Sequence, residues 1–178
     1  MLKVGDKAPA FTAHDALGNE LGLETLLQSG PLVLIFRRYV GCPICRQRFA
    51  DLGEHYDRYK RLGAQVYAVV GGAPARTAEF MHSRKLPNVF LVDPRRELYD
   101  LFQVGPGQLR HFLSLGTIVS ASKAVIKGRM QGMPEGNPYQ LPADFIVRQD
   151  GSLALAHYGE HFGDSLNDAQ LLDRLSML

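Results

Sequence analysis

Residues 31–49 read PLVLIFRRYVGCPICRQRF, an apolar run that gives way to four arginines and the only two cysteines of the chain. Leu32–Phe36 is short, uninterrupted and partly β-branched, which is how a strand buried on both faces reads. Beyond the cysteines, Cys45, Phe49, Leu52, Tyr56, Tyr59 and Leu62 recur at steps of three and four residues, so an amphipathic helix is expected. Pro43 is tolerated in its first turn, and Gly63 is placed to end it. The stretch is therefore strand, short loop and helix, with Cys42-x-x-Cys45 at the junction.

Working outward, residues 65–70 (QVYAVV) and 89–92 (VFLV) are further buried strands. Pro74 opens a helix through Lys85, and Asp93-Pro94 turns the chain into a short one over Glu97–Phe102. This β-α-β-α-β-α order argues for parallel strands joined by right-handed crossovers. Residues 144–148 (DFIVR), a Gln149-Asp150-Gly151 turn and residues 153–157 (LALAH) form an antiparallel hairpin. A last helix starts from about Asn167, with Asn167 and Gln170 as its capping box. The expected fold is α/β, a central mixed sheet flanked by helices. Residues 105–141 form an insertion before the final hairpin. It holds a possible helix near Ile118–Lys127 and then GRMQGMPEGNPYQ, and a connection that long is usually mobile or functional.

A chain of 178 residues is most simply one domain with a substantial core. Its formal charge of +2, without a Lys/Arg tract, argues against a nucleic-acid partner. No apolar run approaches the roughly 20 residues of a membrane helix. The start, MLKVGDKAPAF, lacks an apolar stretch of signal-peptide length. The expected setting is cytoplasmic, where Cys-x-x-Cys is seldom a structural staple. Cysteines this close also enclose too small a loop for their crosslink to stabilise much.

Position argues instead for redox chemistry. Cys42 falls at a helix N-terminus, where unpaired N–H groups and the dipole favour an anion. A cysteine there can titrate at roughly pH 3.5–7.5 instead of about 8.5. Cys45 lies about one turn on, within reach of a disulfide. Cys42 precedes the helix and is expected to be the less buried thiol, hence the nucleophile. The blander reading is two small core residues. Zinc would need His157 and His161 as partners, but more than a hundred residues separate the pairs, against roughly 12–15 in a finger. Arg37, Arg38, Arg46 and Arg48 surround the cysteines, and any that turns inward stabilises a thiolate. Alternation does not say which. Tyr39 either places a hydroxyl near Cys42 or simply packs. None of the six histidines has a pattern that marks it as a general base.

Strand, Cys-x-x-Cys and helix together resemble the thioredoxin superfamily. Val4–Phe11 followed by Leu17-Gly18-Asn19-Glu20 looks like the opening segment of its AhpC/TSA (peroxiredoxin) and TlpA-type branches. Gly132–Asn137, Asp144–Val147, the Gly151 turn, Ala156-His157 and Phe162-Gly163-Asp164 are similar to the peroxiredoxin-like group that carries a Cys-x-x-Cys.

The resemblance implies a thioredoxin-like fold and a thiol-dependent antioxidant oxidoreductase. Cys42 would attack a peroxide and Cys45 resolve it, with Tyr39, Arg38 and Pro142 on the substrate side. It implies no metal or organic cofactor, and an external thiol reductant such as thioredoxin. Charge and hydropathy, as above, give no nucleic-acid or membrane partner, and a homodimer stays open. Tyr39 stands where peroxiredoxins place Thr or Ser, and Leu141-Pro142-Ala143 where they place an arginine. Pro142 instead looks like the cis-proline beside a thioredoxin site. A protein disulfide reductase and a non-enzymatic redox sensor are therefore the alternatives.

Overall fold

The computed structural model describes residues 1–87, 89–107 and 135–178, with Val119, Ser122 and Ile126 between them. In chain order the elements are β1 (Thr12–Asp15), β2 (Glu20–Gly22), α1 (Leu23–Gln28), β3 (Leu32–Arg37), α2 (Pro43–Arg61) and β4 (Gln65–Val70). Then follow α3 (Pro74–Ser83), β5 (Phe90–Val92), α4 (Glu97–Leu101), β6 (Ala143–Val147), β7 (Leu153–Tyr158) and α5 (Asp168–Ser176). Of the helix expected near Ile118–Lys127 only Val119, Ser122 and Ile126 are described, each helical and exposed, and residues 128–134 of the Gly/Pro-rich segment lie outside the described residues.

The strands form one mixed sheet in the order β2-β1-β5-β4-β3-β6-β7. β3, β4 and β5 are parallel, as crossover connections require. β6 joins β3 antiparallel, from Leu32 opposite Val147 to Phe36 opposite Ala143. β3 is thus paired on both edges, and all six of its residues are buried.

Its side chains alternate between two cores. Val33 and Ile35 pack with Phe49, Leu52, Tyr59 and Leu171 on the side of α2 and α5. Leu32, Leu34 and Phe36 pack with Val69, Leu91, Phe102 and Phe145 on the other. Each such burial contributes about 1.5–3 kcal/mol. The Phe36 ring meets Tyr99, Phe102 and Phe145 at centroid distances of 5.3, 5.2 and 5.5 Å. This aromatic cluster fixes the end of β3, the point from which the cysteine loop departs.

The inward face of α2 differs in two places from the expected stripe. Leu62 is 41% exposed, because the helix ends before it. Arg48 is buried in the stripe, its charge answered by Asp168 of α5 at 2.8 Å. Gly63 closes the helix at φ +68°, a left-handed conformation that favours glycine. Asn167 and Gln170 form the expected capping box, each accepting the other's backbone N–H at 3.0 Å. β1, β2 and α1 answer to no expectation, and β1 and β2 widen the sheet beyond β5.

Candidate thiol redox site

Beyond β3 the chain makes a short loop, and the N–H of Cys42 donates to the carbonyl of Tyr39 at 3.3 Å. Cys42 is the N-cap of α2, extended at φ −76° and ψ 127°, with Pro43 in the first turn. Its sulfur accepts the N–H of Cys45 at 3.4 Å, taking the place that a Ser or Asp oxygen usually fills. Both cysteines are free thiols. The expectation that Cys42 is the less buried is wrong: it is 0% exposed and Cys45 4%. Tyr39, Val40 and Gly41 before it are buried too, and Arg38 lies on its sulfur, so the N-cap is covered as fully as the first turn.

The four arginines separate. Arg38 donates from Nη2 to Cys42 Sγ at 2.9 Å and from Nη1 to the carbonyl of Pro138 at 3.1 Å. Its guanidinium lies over the Phe162 ring, 4.6 Å from the centroid. Burial works against its charge, but the two sulfurs and Tyr39 outweigh burial and raise its pKa. Arg37 instead donates to Asp144 Oδ1 at 2.7 Å in a pair 4% and 0% exposed. Arg46 donates to the carbonyl of Val40 at 2.9 Å. Arg48 meets Asp168, which also accepts the Tyr59 hydroxyl at 2.5 Å.

The two thiols titrate as a unit. Burial opposes ionisation of Cys45, but the hydrogen bond from Cys42 and the positive field of Arg38 bring it down to about 6. Burial and the adjacent Cys45 sulfur push Cys42 well above its ordinary value, while Arg38 pulls the other way. The expected ordering, Cys42 far below Cys45, does not hold. The pair carries one thiolate near neutral pH, and the hydrogen-bond donors of Arg38 and Cys45 converge on the sulfur of Cys42.

Tyr39 is buried in the same apolar cluster as the two cysteines. Pro142 corrects another expectation, because no peptide bond among the described residues is cis. Pro142 continues the extended line of β6, and its carbonyl accepts the N–H of Gly159 at 2.9 Å. It stands one residue before Ala143, the partner of Phe36, and so at the sheet end that delivers the cysteine loop. His157 lies in β7, within 3.2 Å of Asp164, while His161 lies in the loop beyond. Sequence alone assigns no role to Phe162 or Asp144, although both fall within the motifs above. An Asp within an otherwise apolar strand is the available signal, since it needs a cation.

A cleft of about 420 Å³ opens beside the loop, lined by Val40, Gly41, Arg46, Arg76, Phe80 and Glu135 among others. A larger hollow of about 840 Å³, between α1 and the β6–β7 turn, is lined by no cysteine and lies at the other end of β3.

The chain is 24% identical over 158 residues to the thioredoxin-like protein AAED1, chloroplastic, of Arabidopsis thaliana, covering 87% of this chain and 62% of that protein. It is 28% identical over 122 residues to peroxiredoxin Q, chloroplastic, of Oryza sativa subsp. japonica, covering 65% of this chain and 56% of that one. It thus spans less than two thirds of the length of either relative. Among solved structures, peroxidoxin BcpB from Mycobacterium tuberculosis superposes with a TM-score of 0.73 at 19% identity, over 100% of this chain and 99% of its own. That likeness shows the thioredoxin-like fold. The profile of the AhpC/TSA family matches residues 4–156, which include the whole strand–loop–helix bearing Cys42 and Cys45, and the chain belongs to that family.

Proposed function

We propose that the protein is a thiol-dependent peroxidase with Cys42 as nucleophile and Cys45 as resolving thiol. The observation that carries this is Arg38 Nη2 at 2.9 Å from Cys42 Sγ. The guanidinium that the family draws from the stretch before β6 is supplied here from the end of β3. The Cys42 thiolate attacks the nearer peroxide oxygen, the O–O bond breaks, and the leaving alkoxide takes up a proton to depart as alcohol or water. Cys42 is now a sulfenic acid. The sulfur of Cys45 displaces its hydroxyl as water and closes the disulfide. An external dithiol such as thioredoxin then reduces the disulfide in two exchange steps.

The need for such a thiol pool is the reason to place the cycle in the cytoplasm. Among the described residues no helix is long and apolar enough to cross a membrane. The likeness to a peroxiredoxin favours peroxide over protein disulfides, and the trans bond at Pro142 removes the feature that pointed to disulfide exchange. Steady consumption of hydrogen peroxide with thioredoxin, its reductase and NADPH is the expected result. Turnover of a model protein disulfide without peroxide turnover would assign the reductase reading, and oxidation without turnover the sensor.

A further inference from the structure

The Phe162-Gly163-Asp164 motif has so far no part in the chemistry. It lies in the loop between β7 and α5, which is tied down at several points. Gly159 N–H donates to the carbonyl of Pro142 at 2.9 Å, and Glu160 N–H to Asp164 Oδ2 at 2.7 Å. Leu166 N–H donates to Asp144 Oδ2 at 2.9 Å, the carboxylate that also holds Arg37. A Cβ at Gly159 would stand 2.3 Å from the Asp164 carbonyl oxygen and 2.7 Å from the Pro142 ring, so the loop can close only over glycine. The result of this closure is a Phe162 ring 4% exposed, with the guanidinium of Arg38 on it.

We propose that Phe162 is a positioning residue of the thiol site, its ring holding the Arg38 guanidinium on the sulfur of Cys42. An arginine side chain carries large rotamer freedom, and at a strand end it has water as an alternative. Here both terminal nitrogens are engaged, Nη2 by Cys42 Sγ and Nη1 by the Pro138 carbonyl. The ring covers the planar face, where its quadrupole favours the cation in a partly desolvated position. A leucine of similar bulk would fill the space but supply no such field.

This inference rests on the reading of Cys42 as the nucleophile. The test is the pH dependence of alkylation and of peroxide reaction in the reduced full chain. Phe162→Leu is expected to raise the midpoint by about half to one pH unit, a loss of roughly three- to tenfold in rate below the midpoint, converging with wild type well above it. Phe162→Tyr, which keeps the ring, restores the wild-type profile. In an Arg38→Met background, Phe162→Leu shifts the profile no further. Should Phe162→Leu not fold, Phe162→Met is read in the same way. An unshifted midpoint, or a shift of equal size with and without Arg38, would overturn the positioning role. Cys42→Ser is the separate control: if it keeps its reactivity, the parent reading fails, whatever Phe162 does.

Discussion

Arg37 and Arg38 are neighbours in the chain, yet their guanidiniums end on opposite chemistries, Asp144 at 2.7 Å and Cys42 at 2.9 Å. The first closes a fully buried ion pair between β3 and β6. The second brings a positive charge to a thiol. The two arginines therefore predict different losses, one in stability and one in reactivity.

Arg38→Met removes the charge and keeps much of the bulk. A neighbouring opposite charge lowers a pKa by about 1–3 units, so the midpoint of thiol alkylation should rise by about 1–2 units. Below the midpoint the peroxide rate should drop about ten- to a hundredfold, with the fold intact by circular dichroism. Arg38→Lys should recover only part of this, since an ammonium lacks the planar fork that engages sulfur and carbonyl together.

Asp144→Asn leaves the buried Arg37 cation facing a neutral amide. Removal of one partner of such a pair costs about 3–5 kcal/mol, to be read as a lowered urea midpoint. The double variant Arg37→Met, Asp144→Leu should recover most of that loss, because it buries no uncompensated charge. A Asp144→Asn protein as stable as wild type would show that the pair contributes little.

The shared thiolate sets the pH profile. With one proton leaving the pair at about 6, reactivity should be level above neutrality. It should fall about tenfold per unit as pH drops below the midpoint, because the acid form is the unreactive one. A midpoint near 8.5, the ordinary cysteine range, would mean that Arg38 and the helix start do not stabilise the anion.

Single cysteine variants separate the two roles. Cys42→Ser should abolish reaction with peroxide. Cys45→Ser should react once and stop as a Cys42 sulfenic acid, which dimedone would trap. A trapped sulfenic acid on Cys45 in the Cys42→Ser protein would reverse the assignment. The low titration of Cys45 within the pair makes that outcome the one to look for.

The parts of the fold legible in the sequence are those with a strong local period. β3 is a bare apolar run because both its faces and both its edges are covered, and α2 repeats at helical spacing with its proline and glycine at the ends. β1 and β2 were not legible, having only 4 and 3 residues, with half of β1 facing solvent. Helix α1, 6 residues long, is too short to show a period. The place of Cys-x-x-Cys at a helix start is a local feature and is legible in the sequence. Relative burial is not, since it depends on how the loop folds over the N-cap. Nor could spacing choose among four arginines. That choice is made by Asp144, Pro138 and Phe162, which come from the far end of the chain. The cis bond anticipated at Pro142 was carried over from a likeness to thioredoxin, whereas the residue here extends β6 toward its pairing with Gly159.

The most direct test is to add one equivalent of hydrogen peroxide to the fully reduced chain, then count thiols and weigh the intact protein. The account predicts that both thiols disappear together, that the mass falls by the roughly 2 Da of two lost hydrogens, and that non-reducing gels show monomer, on the one-turn spacing of Cys42 and Cys45. Two thiols surviving the peroxide, or a covalent dimer as the main product, would contradict it.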